Sequence, residues 1–239
     1  MNVRLDAVAF DLGNTLVEYY RPDRFPPVLE ESLEAVHRLL TERGATSLPL
    51  AAILERSAEH GGETPDLRVR PLEERLRALF EIPPRMGGDD LLREASLRFL
   101  EPIWAVGSIY SDTLRVLRHL RSRGYRTGIV SNLPWGSPPD LWRQEVGRLG
   151  IAAEMDAVVF CGDAGHRKPA PEVFALALER LGVEARRCAF VGDNPEWDYE
   201  GALGAGMRPF LIDRDDARRN FDGKRVLNLD DLVARLGAR

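Results

Sequence analysis

The sequence predicts a doubly wound α/β protein with a mostly parallel sheet that a helical insertion interrupts after the first strand. Two observations predict this class. From residue 107 onward, short apolar runs alternate with stretches of helical periodicity, which is typical of βαβ units and a parallel sheet. Before that point, about ninety residues carry helical periodicity alone. We therefore expect residues 1–16 and 106–239 to form the α/β core and residues 17–105 to form a helical unit.

The predicted elements follow one another along the chain, beginning with a strand at residues 6–11. Gly- and Pro-rich breaks then separate four helices, at residues 28–40, 50–58, 72–80 and 91–100. The alternating part contains helices at 112–123, 141–149, 172–181 and 196–205, and strands at 127–130, 157–160, 188–191 and 209–212. One helix and one strand fill the stretch between Ser131 and Lys168, which leaves no room there for a second insertion.

Composition narrows the class of partner. The chain has 239 residues and a formal net charge of −5. This charge gives no reason to expect a nucleic acid or an anionic membrane, because both select basic surfaces. No run approaches the roughly 18 apolar residues of a transmembrane helix, and we expect no signal peptide. We therefore expect a cytoplasmic protein, a monomer or a homodimer, that binds a small molecule and keeps Cys161 and Cys188 as buried thiols.

Four short segments at the ends of strand-like runs carry an acid, a hydroxyl, a lysine and a second acid, namely Asp11, Ser131, Lys168 and Asp193. Ligands of open α/β sheets bind outside the carboxyl ends of the strands, so we expect these side chains at one site. The Asp11 carboxylate can attack phosphorus and form a covalent intermediate, although an Asp here can also cap a turn. Two carboxylates suit Mg²⁺. The Ser131 hydroxyl, the Asn132 N–H group and Lys168 can hold phosphate oxygens.

Together these segments resemble the motifs of the haloacid dehalogenase-like superfamily. They read Val8-Ala9-Phe10-Asp11-Leu12-Gly13-Asn14-Thr15, Gly128-Ile129-Val130-Ser131-Asn132, His166-Arg167-Lys168-Pro169 and Phe190-Val191-Gly192-Asp193-Asn194. The resemblance implies a Rossmann-like core and an inserted helical cap domain that covers the active site. It also implies Mg²⁺-dependent phosphatase chemistry through an aspartyl-phosphate, with Asp11 as the nucleophile.

The resemblance implies roles for further residues. The backbone carbonyl of Gly13 would be a third protein ligand of Mg²⁺, beside Asp11 and Asp193. Asp198 resembles the second acid of the fourth motif, and Asn194 stands beside it as a supporting residue. The alternative for Asp198 is a carboxylate that the helix dipole favours at the start of a helix.

Gly13 departs from the family pattern, since most phosphatases of the superfamily carry an Asp there as general acid and base. That role is worth about 10²–10⁴ in rate, and glycine cannot perform it. One interpretation is a phosphatase with a good leaving group or a relocated acid, for which Glu18 and Asp23 are candidates. A second is a carbon–halogen hydrolase, whose branch usually has a Tyr at this position and a Ser-Asn pair in the fourth motif. A third is a phosphate-binding protein without turnover.

The helical insertion should select the substrate, because a lid over a shared phosphate site contacts the variable part of the substrate. Trp135, in a loop at the active edge, is a candidate for stacking on the substrate. Arg21 and Arg24 could engage a second anionic group, although a solvated linker is the alternative. The sequence as a whole predicts a Mg²⁺-dependent hydrolase of a small phosphate monoester.

Overall fold

A computed structural model of the chain describes residues 4–19, 25–60 and 65–236, apart from the side chains of residues 59 and 60. The strands, in chain order, are β1 (Ala7–Phe10), β2 (Val17–Glu18), β3 (Ser108–Ile109), β4 (Arg126–Ser131), β5 (Ala157–Phe160), β6 (Cys188–Gly192), β7 (Arg208–Ile212) and β8 (Arg225–Val226). Six of them form one sheet in the order β5-β4-β1-β6-β7-β8, and every pairing in it is parallel. The predicted α/β class is confirmed.

The helices cover both faces of this sheet. In chain order they are α1 (Phe25–Glu42), α2 (Leu50–His60), α3 (Leu72–Leu79), α4 (Asp89–Ala105), α5 (Thr113–Ser122), α6 (Pro139–Arg148), α7 (Cys161–Ala164), α8 (Pro171–Leu181), α9 (Gly201–Gly204) and α10 (Leu229–Leu236). Phe10 belongs to one apolar cluster with Leu117 of α5, and Ala9 belongs to another with Val173 of α8. Neighbouring residues of β1 are thus buried on opposite faces, as in doubly wound sheets.

The first strand lies at the centre of the sheet. All residues of β1 are buried, and Phe10 lies opposite Ile129 of β4 on one side and Val191 of β6 on the other. A short, fully apolar run is what a strand covered on both faces requires. Because the three strands are parallel, their carboxyl ends meet at one edge of the sheet. The residues that follow them therefore come together.

The helices α1 to α4 form the insertion between β2 and β3. The chain leaves and re-enters the core through an antiparallel ribbon, in which Val17 pairs with Ile109. Helices α1 and α4 pack against each other, with Leu33, Val36 and Phe99 among the buried residues. This packing explains the helical spacing of apolar residues in the sequence. The division into a core and a separate cap domain remains a prediction.

Several parts of the chain differ from the predicted elements, and among them the short helix α7 adds a second helix between Ser131 and Lys168. The stretch predicted as one helix at 196–205 is a π-helical segment, Pro195–Glu200, followed by the short helix α9. The wider turn begins where the Asn194 side chain accepts hydrogen bonds from the N–H groups of Glu196 and Trp197. In addition, β8 and α10 follow residue 212, where no element was predicted. Strands of two residues, such as β2, β3 and β8, are too short to show periodicity.

No helix in the described ranges is long and apolar enough to cross a bilayer. Cys161 and Cys188 are both buried free thiols, which confirms the expectation for these residues. Burial raises the pKa of the Cys188 thiol to about 12, because the thiolate would lose its hydration. Cys188 is therefore a packing residue and not a nucleophile near neutral pH.

Candidate active site

The carboxyl ends of β1, β4 and β6 and the segment before α8 line one cavity of about 520 Å³. The residues predicted for phosphoryl transfer and metal binding all line it, namely Asp11, Gly13, Ser131, Asn132, Lys168, Asp193, Asn194 and Asp198. The strand register accounts for this convergence, because β1 lies between β4 and β6 and all three run in the same direction.

Lys168 lies between two carboxylates. Its Nζ donates hydrogen bonds to Oδ1 of Asp11 at 2.5 Å and to Oδ1 of Asp198 at 2.6 Å, and the lysine is 3% exposed. Burial by itself would lower the pKa of the ammonium, but the charges of Asp11 and Asp198 outweigh burial and raise the pKa above its usual value. Lys168 is therefore a permanent positive charge beside the Asp11 carboxylate.

The three acids of the cavity form a crowded group. One oxygen atom each of Asp11, Asp193 and Asp198 lies within 4.8 Å of the others. Burial raises the pKa of Asp193 to about 7, and the charges of Asp11 and Asp198 add to the effect. Burial also raises the pKa of Asp198 to about 6, although Lys168 opposes the shift. This group carries more negative charge than Lys168 neutralises.

The donor set fits a hard divalent cation. Mg²⁺ takes oxygen ligands in near-octahedral geometry, usually one or two carboxylates with additional oxygens. Asp198 is already engaged, since Oδ1 accepts from Lys168 and Oδ2 accepts from the N–H of Asn194 at 3.0 Å. Asp11 and Asp193 are consequently better placed as ligands.

The Gly13 carbonyl is a possible third oxygen donor. Gly13 forms an isolated bridge with Val17, made by Val17 N–H to the Leu12 carbonyl at 3.0 Å and Asn14 N–H to the Val17 carbonyl at 2.6 Å. Neither of these bonds uses the carbonyl of Gly13, and Gly13 lines the cavity. The residues present therefore fit the predicted magnesium site.

The Asn132 side chain holds the backbone of Lys168. Its Oδ1 accepts from the Lys168 N–H at 2.8 Å, and its Nδ2 donates to the Lys168 carbonyl at 3.1 Å. The sequence analysis assigned Asn132 a role through its backbone N–H alone, so this clamp is an additional role. Ser131 is 4% exposed, and its hydroxyl donates to the Asn132 carbonyl at 3.2 Å. A hydroxyl can rotate from this neighbour towards a ligand.

Asn194 and Gly192 shape the loop that carries the two later acids. Asn194 Oδ1 accepts from the N–H groups of Glu196 at 3.0 Å and Trp197 at 2.9 Å, as an N-cap does. A Cβ atom at Gly192 would collide with the Asp198 carboxylate. Only glycine therefore lets Asp198 approach the backbone here and still contact Lys168. Sequence reasoning did not single out Gly192, although its place between strand and acid is a signal.

The helical insertion contacts the core beside the lysine. In a segment that we call the strap, residues 67–70 between α2 and α3, Arg68 forms an antiparallel bridge with His166. The N–H of Val69 donates to the Gly165 carbonyl at 3.0 Å, and the N–H of Arg167 donates to the Leu67 carbonyl at 2.8 Å. The insertion is thereby hydrogen-bonded to the residue that precedes Lys168.

Comparison with known proteins identifies the family. A sequence model of the haloacid dehalogenase-like hydrolase family matches residues 5–206 of this chain. The chain belongs to the haloacid dehalogenase-like hydrolase family. It is 30% identical to the phosphoglycolate phosphatase of Rhodospirillum rubrum over 97% of this chain and 89% of that protein. It is 35% identical to the phosphoserine phosphatase of Thermus thermophilus over 44% of this chain, and the match spans 41% of that relative.

Solved structures of this hydrolase family share the fold along nearly the whole chain. A haloacid dehalogenase-like (HAD) phosphatase from Thermococcus onnurineus superposes with a TM-score of 0.70 at 25% identity, covering 98% of this chain and 99% of that one. A 2-haloacid dehalogenase from Pseudomonas syringae superposes with a TM-score of 0.68 at 24% identity, covering 98% and 100%. The fold is therefore common to phosphatases and dehalogenases, and the site residues must distinguish them.

Gly13 is the position at which the resemblance to the family implies an Asp as general acid and base. A Cβ atom placed there would have Tyr19 Cδ2 as its nearest neighbour at 3.9 Å, which is an ordinary van der Waals distance. The local structure can therefore accommodate a side chain at residue 13. Packing alone therefore does not account for a glycine at this position.

The residues that the sequence analysis proposed as a relocated acid or as substrate contacts differ in their position relative to the cavity. Glu18 is exposed in β2 and does not line the cavity. Asp23, Arg21 and Arg24 lie outside the described residues. Trp135 does line the cavity, but its ring also packs on Phe99 at 5.5 Å and on the guanidinium of Arg75 at 5.8 Å. Trp135 therefore joins the loop after β4 to the helical insertion.

Proposed function

We propose that the chain hydrolyses a small phosphate monoester, with Asp11 as nucleophile and with Mg²⁺ as cofactor. The observation that carries the proposal is the Lys168 ammonium held between Asp11 and Asp198 in a cavity that Asp193 also lines. A nucleophilic carboxylate, a fixed positive charge and a second acid are the parts that phosphoryl transfer needs. The phosphatase names of its relatives support the same chemistry.

In the first step, Asp11 attacks phosphorus and the bond from phosphorus to the leaving oxygen breaks, so that a mixed anhydride forms on Asp11. Lys168, the Ser131 hydroxyl and the Asn132 N–H hold the phosphoryl oxygens as charge develops on them. In the second step, water attacks the phosphorus of the anhydride, which releases phosphate and restores Asp11. Mg²⁺, held by Asp11, Asp193 and the Gly13 carbonyl, would supply further positive charge at the phosphoryl group.

The leaving oxygen has no acid at position 13 from which to take a proton. Such a group contributes about 10²–10⁴ in rate. Substrates whose leaving group departs as a stable anion lose least from its absence. We therefore expect aryl, enol or acyl phosphates to react faster than alkyl phosphates.

Two alternatives predict other outcomes in the same assay. A carbon–halogen hydrolase would act without a metal, but it would have little use for the crowded acids Asp193 and Asp198. A binding protein would take up Mg²⁺ and phosphate without turnover. The cluster formed by Asp11, Asp193 and Asp198 favours the phosphatase, because its excess negative charge would attract a cation.

The test is hydrolysis of para-nitrophenyl phosphate by the wild type and by Asp11→Asn, each with Mg²⁺ and with EDTA. We expect turnover that requires Mg²⁺ and disappears in the variant. Binding without turnover would support the silent protein. Chloride release from 2-chloropropionate in EDTA would support the dehalogenase, and either result would overturn the proposal.

A further inference from the structure

We infer that the phosphate ester carries an apolar leaving group of about the size of one or two aromatic rings. This inference rests on the proposed function and extends it to the class of substrate. It comes from the wall of the cavity that lies beyond the phosphoryl-binding residues. That wall consists of Tyr19, Phe25, Ile103, Leu133, Trp135 and Trp142.

Among the residues that the structure describes, the charged residues that line the cavity follow β1 or β6 or precede α8. They are Asp11, Arg167, Lys168, Asp193 and Asp198. In the described part of the chain, the helices of the insertion contribute two residues to the lining, Phe25 from α1 and Ile103 from α4. Both are apolar. These two residues therefore present a hydrophobic surface to the part of the substrate beyond the phosphoryl group.

The aromatic part of the wall is fixed by packing. The rings of Tyr19 and Trp142 meet edge-on with centroids 5.4 Å apart, and Trp142 meets Trp104 in the same way at 5.9 Å. The indole N–H of Trp142 donates to the Ser137 hydroxyl at 2.8 Å, so it is already used within the protein. A carboxylate or polyol placed against this wall would lose hydration and gain few hydrogen bonds.

The size of the cavity supports the same substrate class. Its volume of about 520 Å³ lies in the range that holds drug-sized ligands. A phosphoryl group with a two-carbon acid would leave much of that volume to water. An aryl group would fill the space and bury its apolar surface against the rings.

Gly13 points to the same substrates on independent, chemical grounds. A site without an acid at residue 13 favours a leaving group that departs as a stable anion, and an aryloxide or enolate does so far better than an alkoxide. An aromatic or enol phosphate would thus pack against the apolar wall and would also leave without a general acid at residue 13.

The charged side chain of Arg167 would favour a different class of substrate, one that carries a second anionic group. Its side chain lines the cavity, is 8% exposed and lies over the Trp197 ring, with Cζ 5.7 Å from the ring centroid. A substrate with a second anionic group would use this guanidinium. Preference for such a substrate would therefore show that Arg167, and not the apolar wall, selects the ester.

The experiment compares phenyl, 2-naphthyl and 4-carboxyphenyl phosphate, whose leaving phenols have similar acidity, with the full chain in Mg²⁺. We expect kcat/KM for 2-naphthyl phosphate to exceed that for phenyl phosphate about tenfold, and 4-carboxyphenyl phosphate to be the poorest. Equal rates, or preference for the carboxylated ester or for phosphoglycolate, would overturn the inference while Asp11-dependent turnover still supported the proposed function. Failure of every ester would overturn the proposed function and this inference with it.

Variants of Phe25 test the wall itself. Phe25→Ala should reduce the ratio of naphthyl to phenyl kcat/KM to about threefold or less, and Phe25→Leu should retain most of it. Leu29 lies on the same helix, is partly buried and does not line the cavity, so Leu29→Ala is the matched control and should keep the wild-type ratio. The same ratio in Phe25→Ala and Leu29→Ala would contradict the proposed role of the wall.

Discussion

At the scale of single residues, Lys168 is held by groups from distant parts of the chain. Asp11 follows β1, Asp198 belongs to the π-helical segment after β6, and Asn132 follows β4. Two of these contacts fix the ammonium, and the third fixes the backbone on which it is carried. The position of the charge therefore depends on the relative placement of three strand ends.

Replacement of Asn132 should loosen this arrangement. Asn132→Ala removes both hydrogen bonds to the Lys168 main chain, and each such bond is worth about 0.5–1.5 kcal/mol net. We expect the free energy of unfolding in urea to fall by about 1–3 kcal/mol and kcat to fall about tenfold, because the ammonium loses its alignment. Asn220→Ala, at an exposed loop residue, is the control and should change neither quantity.

Gly13→Asp tests the missing acid. The space beside Gly13 accepts a side chain, so packing does not exclude an Asp at this position. For an alkyl phosphate, kcat should rise about 10²-fold as the new carboxyl protonates the leaving oxygen. Gly13→Asn fills the same space without an ionisable group and should give no rise. Equal rates for the two variants would show that proton transfer does not limit the wild type.

At the scale of elements, two glycines with opposite surroundings give a prediction for the contact between insertion and core. Gly136 has a φ of +66°, and a Cβ there would collide with the Arg70 carbonyl of the strap. Gly147 lies within α6 and has open space around its Cβ position. Gly136→Ala should lower the free energy of unfolding by about 2–3 kcal/mol. Gly147→Ala should raise it by about 0.5–1 kcal/mol.

Urea unfolding of both variants checks this pair of expectations. Activity adds a second measurement, because Gly136→Ala pushes the strap away from the loop that contains Trp135. We expect KM to rise in this variant and to stay unchanged in Gly147→Ala. Similar changes in both variants would mean that the close approach of Gly136 to Arg70 determines neither the free energy of unfolding nor KM.

The elements also show what could be predicted from the sequence. The apolar spacing of α1 to α4 indicated helices correctly, because these elements contain enough residues to reveal a period, and the continuous apolar run of β1 indicated a buried strand. The strap could not be predicted, since it pairs backbone groups of Leu67 and Arg167 with no pattern in the side chains. Within the site, Asp11 and Lys168 were recognisable from motifs. The clamp made by Asn132 was not, because it depends on how two loops approach each other.

At the scale of the whole molecule, the acids of the site should couple stability to pH and metal. Burial raises the pKa of Asp193 to about 7 and that of Asp198 to about 6, compared with 3.8 for an ordinary Asp. Between these values the folded, metal-free protein binds more protons than the unfolded chain does. Its free energy of unfolding therefore falls as pH rises from about 4 to about 7.

Mg²⁺ should remove this penalty, because a bound cation favours the ionised acids. We expect the increase in Tm caused by Mg²⁺ to be larger near pH 8 than near pH 5, as measured by thermal unfolding with and without the metal. Asp193→Asn should lose most of the increase and much of the pH dependence. A metal effect that is the same at both pH values would contradict the proposed ligation.

The strap has a mechanical consequence for the catalytic cycle. Its hydrogen bonds attach the insertion to the backbone of Gly165 and Arg167, directly before Lys168. Any movement that lifts the insertion to let product escape must pull on the chain that positions the ammonium. Such a movement would couple the release of phosphate to displacement of the Lys168 ammonium that binds it.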